Sequence, residues 1–412
     1  MAIFLCARSP ASAGETGKST AYSGDFLSRS TLTGDWGDAR NRWEDSGITL
    51  KPRLSTFYQG KTSGAGDDVS EFGGKADLQL DADFGKLGLV KGLSLTVHAE
   101  YNFGERILGA GGTIMPINTA LTVPGMEGAD AFDFSNVTFK QKFGAGASLL
   151  LGKISIVDYC NGKPFHGGEG SDSFWNIVFA APPSGTVPAY FFGAILSVPT
   201  EAATYGLWVY DPNSSVNKPG IKDAFADGVT IRGSVSFPVT LGGLGGHQGL
   251  AASYSTKDGT DWETLDDVAL GLSDTAGTRE DRWYLAYTVD QYLYRSKTNP
   301  KEGVGLFGQF EISDGNPNYL HWMAFGGLGG TGLIPGRSLD NWGLGYYYFA
   351  PADGLHNLPP PNPQIRDEQG FEAFYNFALT PWFVLGADLQ VIKAGLTGDT
   401  AVLPGVRTVI RF

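Results

Sequence analysis

Cysteine is almost absent from this chain, and charged residues and long apolar runs are scarce. Only Cys6 and Cys160 occur in 412 residues, too few for a disulfide framework or a structural zinc site. Charged residues make up 18% of the chain, below the usual share of about 25%. No segment approaches the roughly 20 apolar residues that a membrane-spanning helix needs. A disulfide-rich domain and a helical membrane protein are therefore excluded.

Basic residues are the minority among the charges. There are 30 Lys and Arg against 43 Asp and Glu, giving a net charge of −13. Because no cluster of Lys or Arg stands out, nucleic acid is not an expected partner. Aromatic residues reach 13%, a share that a disordered chain does not have. Gly accounts for 59 residues, about double its usual share of roughly 7%.

Apolar and polar residues alternate over long segments, and this is the strongest pattern in the sequence. In residues 93–102 the side chains of Leu93, Leu95 and Val97 share one face, opposite Ser94 and Thr96. Period-2 alternation of this kind predicts strands with one face against something apolar. The same pattern recurs at residues 48–54, 76–84, 137–143, 229–237, 283–289, 304–312, 371–379, 383–391 and 406–412.

A large β-sandwich or β-propeller would also alternate, but a membrane barrel fits better. The runs match the roughly 9–11 residues with which a tilted strand crosses a bilayer. Aromatic residues gather near strand ends, as at Trp283 and Trp382, where barrels place interfacial girdles. Charges also fall in the middle of the polar faces, where a dry core would not accept them unpaired. We therefore expect a water-filled lumen faced by Asp77, Asp81, Asp83, Glu100, Arg232, Glu311 and Glu372.

The chain divides into a short preface and one barrel domain. Residues 1–13 are interpreted as a truncated signal-peptide remnant, although their apolar stretch is short for one. Residues 14–47 form an N-terminal periplasmic segment, and residues 48–412 form the barrel. These 365 residues divide into sixteen antiparallel strands at about 23 residues for each strand and its connection, and eighteen strands would also fit.

The preface contains one predicted helix within residues 31–47. Asp35 is its expected N-cap and Gly47 its stop. Because an isolated helix of this length is marginal in water, we expect it to dock on the periplasmic end of the barrel. Trp36 and Trp43 share one face of the helix and are the predicted docking residues.

Motifs for catalysis and for cofactors are weak. The sequence from Gly327 to Gly332 matches G-x-G-x-x-G, but no strand–helix–strand unit surrounds it, and chance accounts for such a match in so Gly-rich a chain. The five His residues are scattered without metal-ligand spacing. Paired acids such as Asp81 and Asp83 are far more often solvated than catalytic. We predict no enzyme activity, no cofactor and no metal site.

Several segments together resemble the carbohydrate-selective porin family of the OprB type. The start Leu32–Arg40 is similar to the family's L-T-G-D-W-G-G-x-R opening, with Asp38 in place of a usual Gly. The segment Ser313–Asn318 is the most specific likeness, and the order of similar segments runs from about residue 31 to residue 412. The resemblance implies a sixteen-stranded outer-membrane barrel through which small sugars, mono- or disaccharides, diffuse.

Sugar passage needs planar polar groups, aromatic faces and fixed charges in a narrow region, because the channel must replace the water around hydroxyls without trapping the solute. We predict that Arg337 and a carboxylate, Asp158 or Asp314, project into the constriction from opposite sides. For each candidate the alternative is a role in a turn or in loop packing. The full set of candidates is Arg337, Asp314, Asn316, Asn318, Trp322, Asp158, Trp175 and Asn176.

The expected partners follow from the resemblance to a porin. They are small carbohydrates, the bilayer and lipopolysaccharide of the bacterial outer membrane, and the outer-membrane assembly machinery, which would read the C-terminal Phe412. The protein would be a monomer or a homotrimer. Two alternatives stay open: a channel for another solute, such as organic acids or a metal-related nutrient, and a filled barrel with an enzymatic or adhesive role.

Overall fold

A closed antiparallel barrel of sixteen strands dominates the computed structural model. The structure describes residues 21–125, 130–270, 272–299, 302–356 and 364–412. The interpreted signal remnant at residues 1–13 lies outside the described residues. Strands adjacent in sequence pair with each other around the ring, and the last strand closes the barrel on the first, for example through Leu54 and Ile410. The expected fold and the count of sixteen strands are confirmed.

The barrel strands are β1 Ile48–Lys61, β2 Val69–Asp83, β3 Leu93–Gly104, β4 Asp130–Lys142, β5 Ser148–Ser155, β6 Tyr190–Pro199, β7 Thr204–Tyr210, β8 Thr230–Leu241, β9 Leu244–Ser255, β10 Arg282–Arg295, β11 Gly303–Ser313, β12 Leu320–Thr331, β13 Asn341–Pro351, β14 Glu368–Thr380, β15 Phe383–Lys393 and β16 Thr400–Arg411. A separate two-stranded ladder pairs Gly259–Thr260 with Thr278–Arg279. The helices are α1 Ala39–Ser46, α2 Thr119–Thr122, α3 Ile156–Tyr159, α4 Ile177–Ala180, α5 Leu265–Ala269 and α6 Asp353–His356, with 3₁₀ turns at Gly144–Gly146 and Trp262–Thr264.

Alternation along the strands sorts side chains between the lumen and the outer surface. In the pairing of β2 with β3, Asp77 lies opposite Glu100 on the inner face. Leu78, the next residue along β2, lies on the outer face and is exposed. Because register fixes the face of every residue in a strand, the apolar outer positions form the lipid-facing surface and the polar positions line the interior.

The two ends of the barrel differ in the length of their connections. The end that carries both chain termini has turns of at most nine residues, for example at residues 84–92 and 332–340. The opposite end carries the long connections, including residues 156–189 and 256–281. Outer-membrane barrels have short periplasmic turns and longer extracellular loops. The end with the termini is therefore the periplasmic end.

The N-terminal helix is shorter than the sequence predicted. It begins at Ala39, after Asp38, whose side chain makes no capping hydrogen bond. The expected N-cap, Asp35, instead accepts hydrogen bonds from Ser23 Oγ at 2.8 Å and from the Gly37 N–H at 3.1 Å. These bonds hold a turn ahead of the helix, so the prediction of an N-cap at Asp35 is wrong. The stop at Gly47 is confirmed, because Gly47 adopts a φ of 101° that suits glycine.

The helix docks on the barrel through Arg40 rather than through the tryptophans. Buried Arg40 donates to the carbonyl oxygens of Leu50 and Phe412, each at 2.7 Å, and so joins α1 to both the first and the last strand regions. Trp36 and Trp43 pack against each other edge to face and stay exposed. These exposures do not support the prediction that the two tryptophans make the docking contact, and Arg40 makes the hydrogen bonds that do. No helix among the described residues is both long enough and apolar enough to span a membrane.

Candidate functional site

The connection between β5 and β6, residues 156–189, folds into the lumen, and we call it the inward loop. It leaves one wall of the barrel and reaches the opposite wall, half the ring away, at β14 and β15. There the carboxylate of Glu372 accepts hydrogen bonds from the N–H groups of Trp175 and Asn176. The Asn176 amide also donates to Gln390 at 3.2 Å. The inward loop therefore crosses the lumen and narrows it.

Glycines in the wall make room for the aromatic side chains of the inward loop. A Cβ atom at Gly343 would come within 2.6 Å of Phe174, and one at Gly405 would come within 2.6 Å of Trp175. Such distances are far below van der Waals contact, so only glycine leaves space at these positions. Phe165 and Phe179 meet Gly305 and Gly345 in the same way. We call these four wall positions the glycine sockets.

A second connection, between β3 and β4, also enters the lumen and packs on the inward loop. Glu368 on β14 accepts hydrogen bonds from the N–H groups of Ile114 and Met115 at 2.6 and 2.9 Å. Thr119 donates to the Trp175 carbonyl through both its N–H and its hydroxyl at 2.7 Å. One strand, β14, thus holds both loops through two glutamates spaced four residues apart.

A polar cavity of about 370 Å³ remains between the inward loop and the wall near the periplasmic end. We call it the pore cavity. Its charged and amide side chains come from the inward loop and from β1 and β13, and they are mostly half-buried or buried. They are Arg53, Asn161, Lys163, His166, Glu169, Asp172 and Asn341.

Arg53 links the wall to the inward loop across the pore cavity. Its guanidinium donates to Asp77 on the wall at 2.9 Å, and to Glu169 and Asp172 on the loop, the latter at 3.4 Å. Asp172 also pairs with Arg411 on β16. Ion pairs therefore join the wall to the inward loop at this cavity, and their cation is Arg53 and not the predicted Arg337.

Asp158 lies at the start of the inward loop in a buried cluster of charges. Its carboxylate contacts His98 Nδ1 at 3.0 Å and accepts a hydrogen bond from Asn136 at 3.1 Å. His98 Nε2 contacts Asp77 at 3.3 Å. Asp158 thus faces the interior, as expected, but no bond reaches it from Arg337.

The same cluster has the ligand types of a metal site, and its charges argue against one. Ligand atoms of Asp77, His98, Glu100 and Glu169 lie within 4.8 Å of one another. Two cationic side chains already occupy this space, since Lys75 pairs with Glu100 and Arg53 pairs with Asp77 and Glu169. Each of the three carboxylates is therefore already bound to a cation of the protein, and the cluster does not fit a metal ion.

Asp314, Asn316 and Asn318 build a turn and do not reach the pore cavity. The Asp314 carboxylate accepts hydrogen bonds from the N–H groups of Trp283, Asn316 and Asn318 at 2.7 to 2.9 Å. The Asn318 amide donates to the carbonyl of Ser184 on the inward loop at 3.0 Å. This segment therefore supports the inward loop from the extracellular end.

Trp322 lies on the outer face of β12. It pairs across the sheet with Ile312 and stacks on Tyr348 at 4.9 Å between ring centroids, with an interplanar angle of 10°. Neighbours on the same face, such as Phe310, are exposed. The prediction that Trp322 contributes to the channel is not supported, because strand parity turns this ring toward lipid.

Arg337 lies in the periplasmic turn at residues 332–340, apart from Asp158 and from Asp314. Its guanidinium makes a two-pronged bond with Asp340, at 2.7 and 2.8 Å. Burial raises the pKa of the Asp340 carboxyl, but hydrogen bonds from Arg337, from Tyr375 and from the Ala378 N–H outweigh this effect and lower that pKa below its ordinary value. The arrangement matches the alternative role, in which the arginine holds a turn to the wall.

The charged residues expected in the lumen have inward-facing positions, but most are buried by loops. Lys75 pairs with Glu100, while Arg232 lies over the rings of Trp208 and Tyr284 at 5.4 Å from each. Asp83 departs from the pattern, because at the end of β2 its carboxylate accepts the N–H groups of the next turn. The remaining contacts join Asp77 to Arg53, Asp81 to Lys51, Glu311 to Tyr284 and Glu372 to the inward loop.

Sequence reasoning missed the residues that define the pore cavity. Arg53 follows the same alternation that identified Asp77 and was detectable in principle, since it lies two residues beyond Lys51 on the polar face of β1. Lys163 and Glu169 had no such signal, because they belong to an irregular loop whose path depends on contacts with the distant wall.

The comparisons with known proteins agree on one family and one fold. The model of the family described as "Carbohydrate-selective porin, OprB family" matches residues 72–412. The high-pH structure of Pseudomonas putida OprB is 20% identical, with 94% of this chain and 100% of that chain covered and a TM-score of 0.81. Its low-pH structure gives 17% identity, coverage of 94% and 99%, and a TM-score of 0.57.

A loop-deletion mutant of OmpT from Vibrio cholerae is more distant. It is 12% identical, with coverage of 89% and 100% and a TM-score of 0.51. At these identities the solved structures show the barrel fold. No curated protein sequence matches the chain.

Proposed function

Because the chain belongs to the carbohydrate-selective porin family, OprB type, we propose that sugars cross its lumen through the pore cavity beside the inward loop. Membership of this family makes the protein an outer-membrane porin for carbohydrates. The proposal concerns the route and the residues that line it, which are Arg53 on β1 and Asn161, Lys163, Glu169 and Asp172 on the inward loop. Mono- and disaccharides are the proposed size class.

The observation that carries the proposal is the group of ion pairs that line the cavity. Arg53 contacts carboxylates on both the wall and the inward loop. Fixed charges in a channel with low-dielectric walls attract or repel ions strongly. Paired charges offset each other at a distance, so the cavity offers hydrogen-bond partners to hydroxyl groups without acting as a simple ion path. A channel must replace hydration in this way while still releasing its solute.

Among the residues predicted from the sequence, we propose two different roles. Asp158 remains a candidate for solute contact, because it faces the interior beside His98. The contacts of Trp175 and Asn176 support an anchoring role for the inward loop. Those of Asp314, Asn316, Asn318 and Arg337 support turn and loop packing, and we do not propose that they contact sugar.

Liposome swelling tests the proposal directly. We expect vesicles with the protein to swell in glucose and, more slowly, in a disaccharide, and to respond less to charged solutes of equal size that carry no hydroxyl groups. A matched pair of variants, Arg53→Gln and Lys51→Gln, separates the pore cavity from the rest of β1, since Lys51 pairs with Asp81 outside the cavity. Arg53→Gln should weaken the preference for neutral sugars, whereas Lys51→Gln should not. Equal effects of both variants would contradict the proposed route.

The same measurement separates the open alternatives. A channel for organic acids in general, or for a metal-related nutrient, would favour solutes without sugar hydroxyls, such as butyrate, over glucose. A filled barrel with an enzymatic or adhesive role would show no conductance in a planar bilayer. Porins of this fold are channels, and we propose that this protein has no catalytic activity.

We propose three further partners of the barrel. The assembly machinery would recognise the last strand with its terminal Phe412, and lipopolysaccharide would surround the extracellular half of the outer surface. The protein would be a monomer or a homotrimer. Cross-linking in native outer membranes would distinguish these two states, and removal of Phe412 should reduce the amount of assembled barrel.

A further inference from the structure

Two cationic side chains line the pore cavity, and their partners differ. Arg53 forms ion pairs with three carboxylates, those of Asp77, Glu169 and Asp172. For Lys163, no carboxylate oxygen lies within 4.0 Å of Nζ among the residues that the structure describes. Its hydrogen-bond partner is His166 Nε2, at 3.3 Å. Lys163 is therefore a cation of this cavity that the surrounding acids do not pair.

Lys163 is held in place by the wall rather than swinging freely in solvent. The His166 ring stacks on Phe307 of β11 at 4.5 Å, with an interplanar angle of 17°, and is itself buried. The stem of Lys163 lies over Gly167, where a Cβ atom would come within 3.0 Å of its Cδ. The ammonium group is thus positioned at the cavity edge by a fixed ring and a fixed turn.

An unpaired ammonium group in a narrow channel attracts anions. The walls of the lumen have a low dielectric and focus its field, and a carboxylate would form a charge-assisted hydrogen bond with it. Neighbouring groups can bind hydroxyls at the same time: Asn161 is exposed toward the cavity and Thr331 lines it. The combination of one cation with neutral polar groups fits a solute that carries one carboxylate and several hydroxyls.

We propose that Lys163 forms a weak binding site in the pore for the carboxylate of sugar acids, the aldonates and uronates. The inference rests on the proposed route through the pore cavity, and it extends the solutes from neutral sugars to singly charged ones. Glu169 and Asp172 have their ion pairs with Arg53 and Arg411 and not with Lys163.

Block of ion current in a planar bilayer tests the site. Gluconate and glucose are titrated separately into KCl on the periplasmic side. The half-blocking concentration, which gives half of the maximal reduction in conductance, is recorded for each. Butyrate serves as a carboxylate without hydroxyl groups. The variants are Lys163→Gln, which removes the charge, Lys163→Arg, which keeps it, and Lys222→Gln, a matched control at an exposed lysine of the 211–229 loop. Heat-modified migration on gels checks that every variant forms a barrel.

We expect gluconate to block the wild-type protein at lower concentration than glucose or butyrate. Lys163→Gln should raise the half-blocking concentration of gluconate by about threefold to tenfold, as expected for loss of a partly desolvated ion pair. The half-blocking concentration of glucose should change much less than that of gluconate, because glucose carries no carboxylate. Lys163→Arg and Lys222→Gln should behave like the wild type toward gluconate.

Two results would overturn the inference. One is the same gluconate block in Lys163→Gln as in the wild type. The other is block by butyrate as strong as block by gluconate, which would make the site a general carboxylate site. Glucose provides the separate check on the route: if glucose neither blocks the wild type nor swells its liposomes, the proposed function fails rather than the role of Lys163.

Discussion

At the scale of single residues, the position of a side chain on one face of a strand decides what it can do. Trp322 was grouped with Asp314 and Asn318 because they are near in sequence, yet its parity on β12 places it with lipid-facing rings. Arg337 was chosen because it follows Pro335 and Gly336, but the turn that these residues form belongs to the periplasmic end. Strand parity and the end of the barrel, rather than nearness in sequence, decide where these two side chains lie.

The assignment of β3 residues to the lipid-facing and lumen-facing sides can be tested by placing an arginine at each of two consecutive positions. Val97 pairs with Leu80 and Val137 on the outer face near the middle of the strand, so Val97→Arg should lower the free energy of unfolding by roughly 2–4 kcal/mol. Thr96 faces inward and donates to Asp81 at 2.8 Å. Thr96→Arg should be tolerated, because the new cation meets that carboxylate. Urea-induced unfolding in lipid vesicles measures both, and equal losses would refute the register.

The bond between Arg337 and Asp340 should make the stability of the periplasmic turn depend on pH. The pKa of Asp340 is lowered in the folded protein, so its contribution is fully present above the ordinary Asp pKa of about 3.9. It is lost as the pH falls below that value and through the lowered pKa. Melting curves from pH 7 down to pH 2 should show this loss, and Asp340→Asn should remove it.

Arg337→Ala should lower the melting temperature at pH 7 and leave ion selectivity unchanged. A shift of the reversal potential toward cations would instead support the prediction that Arg337 lies in the constriction.

At the scale of elements, β14 is the strand that anchors both of the loops that enter the lumen. Glu368 and Glu372 each accept two N–H groups from a different lumen loop. A carboxylate suits this task because it has two accepting oxygens and no proton to direct elsewhere. The strand thus sets the position of both loops, and through them the width of the passage.

Replacing Glu372 with Gln should loosen the inward loop and leave the barrel intact. The Gln side chain has one accepting oxygen, so one of the buried N–H groups of Trp175 and Asn176 would lose its partner at a cost of about 1–3 kcal/mol. We expect higher single-channel conductance, more current noise and passage of larger sugars. Glu311→Gln is the matched control, since Glu311 is also a buried lumen acid but bonds to Tyr284 and Gln309 on the wall. The same conductance change in both variants would attribute it to charge alone.

The N-terminal helix should stabilise the barrel through one arginine. Arg40→Ala removes donors to Leu50, Phe412 and Thr31, and should cost roughly 1–3 kcal/mol because charged hydrogen bonds are lost and carbonyls are left unpaired. Trp43→Ala should change stability by no more than about 0.5 kcal/mol, since the ring is exposed. Chemical denaturation of both variants gives the comparison. A greater loss for Trp43→Ala would restore the prediction that the tryptophans dock the helix.

At the scale of the whole molecule, the sequence predicted the wall well and the interior poorly. Alternation is local, so the face of Asp77 or Glu100 could be read from neighbouring residues, and strand length set the count near sixteen. The path of the inward loop depends on contacts such as Trp175 with Glu372, nearly 200 residues apart. Nothing local in the sequence marks such a pair. The pore cavity lies where these long-range contacts meet, which is why Lys163 and Glu169 were missed.

The glycine sockets have a consequence for how such a channel can be altered. Each socket leaves out a side chain of the wall so that one ring of the inward loop can occupy the space, as Gly345 does for Phe179. The loop and the wall are therefore sterically complementary, although their residues lie far apart in the sequence. If the loop of a relative were transplanted into this barrel, its aromatic rings would clash with wall side chains at positions that lack a glycine. The existing glycine sockets would be left as empty cavities. The selectivity of the channel is thus not a detachable module, and a graft would succeed only if loop and wall positions were exchanged together.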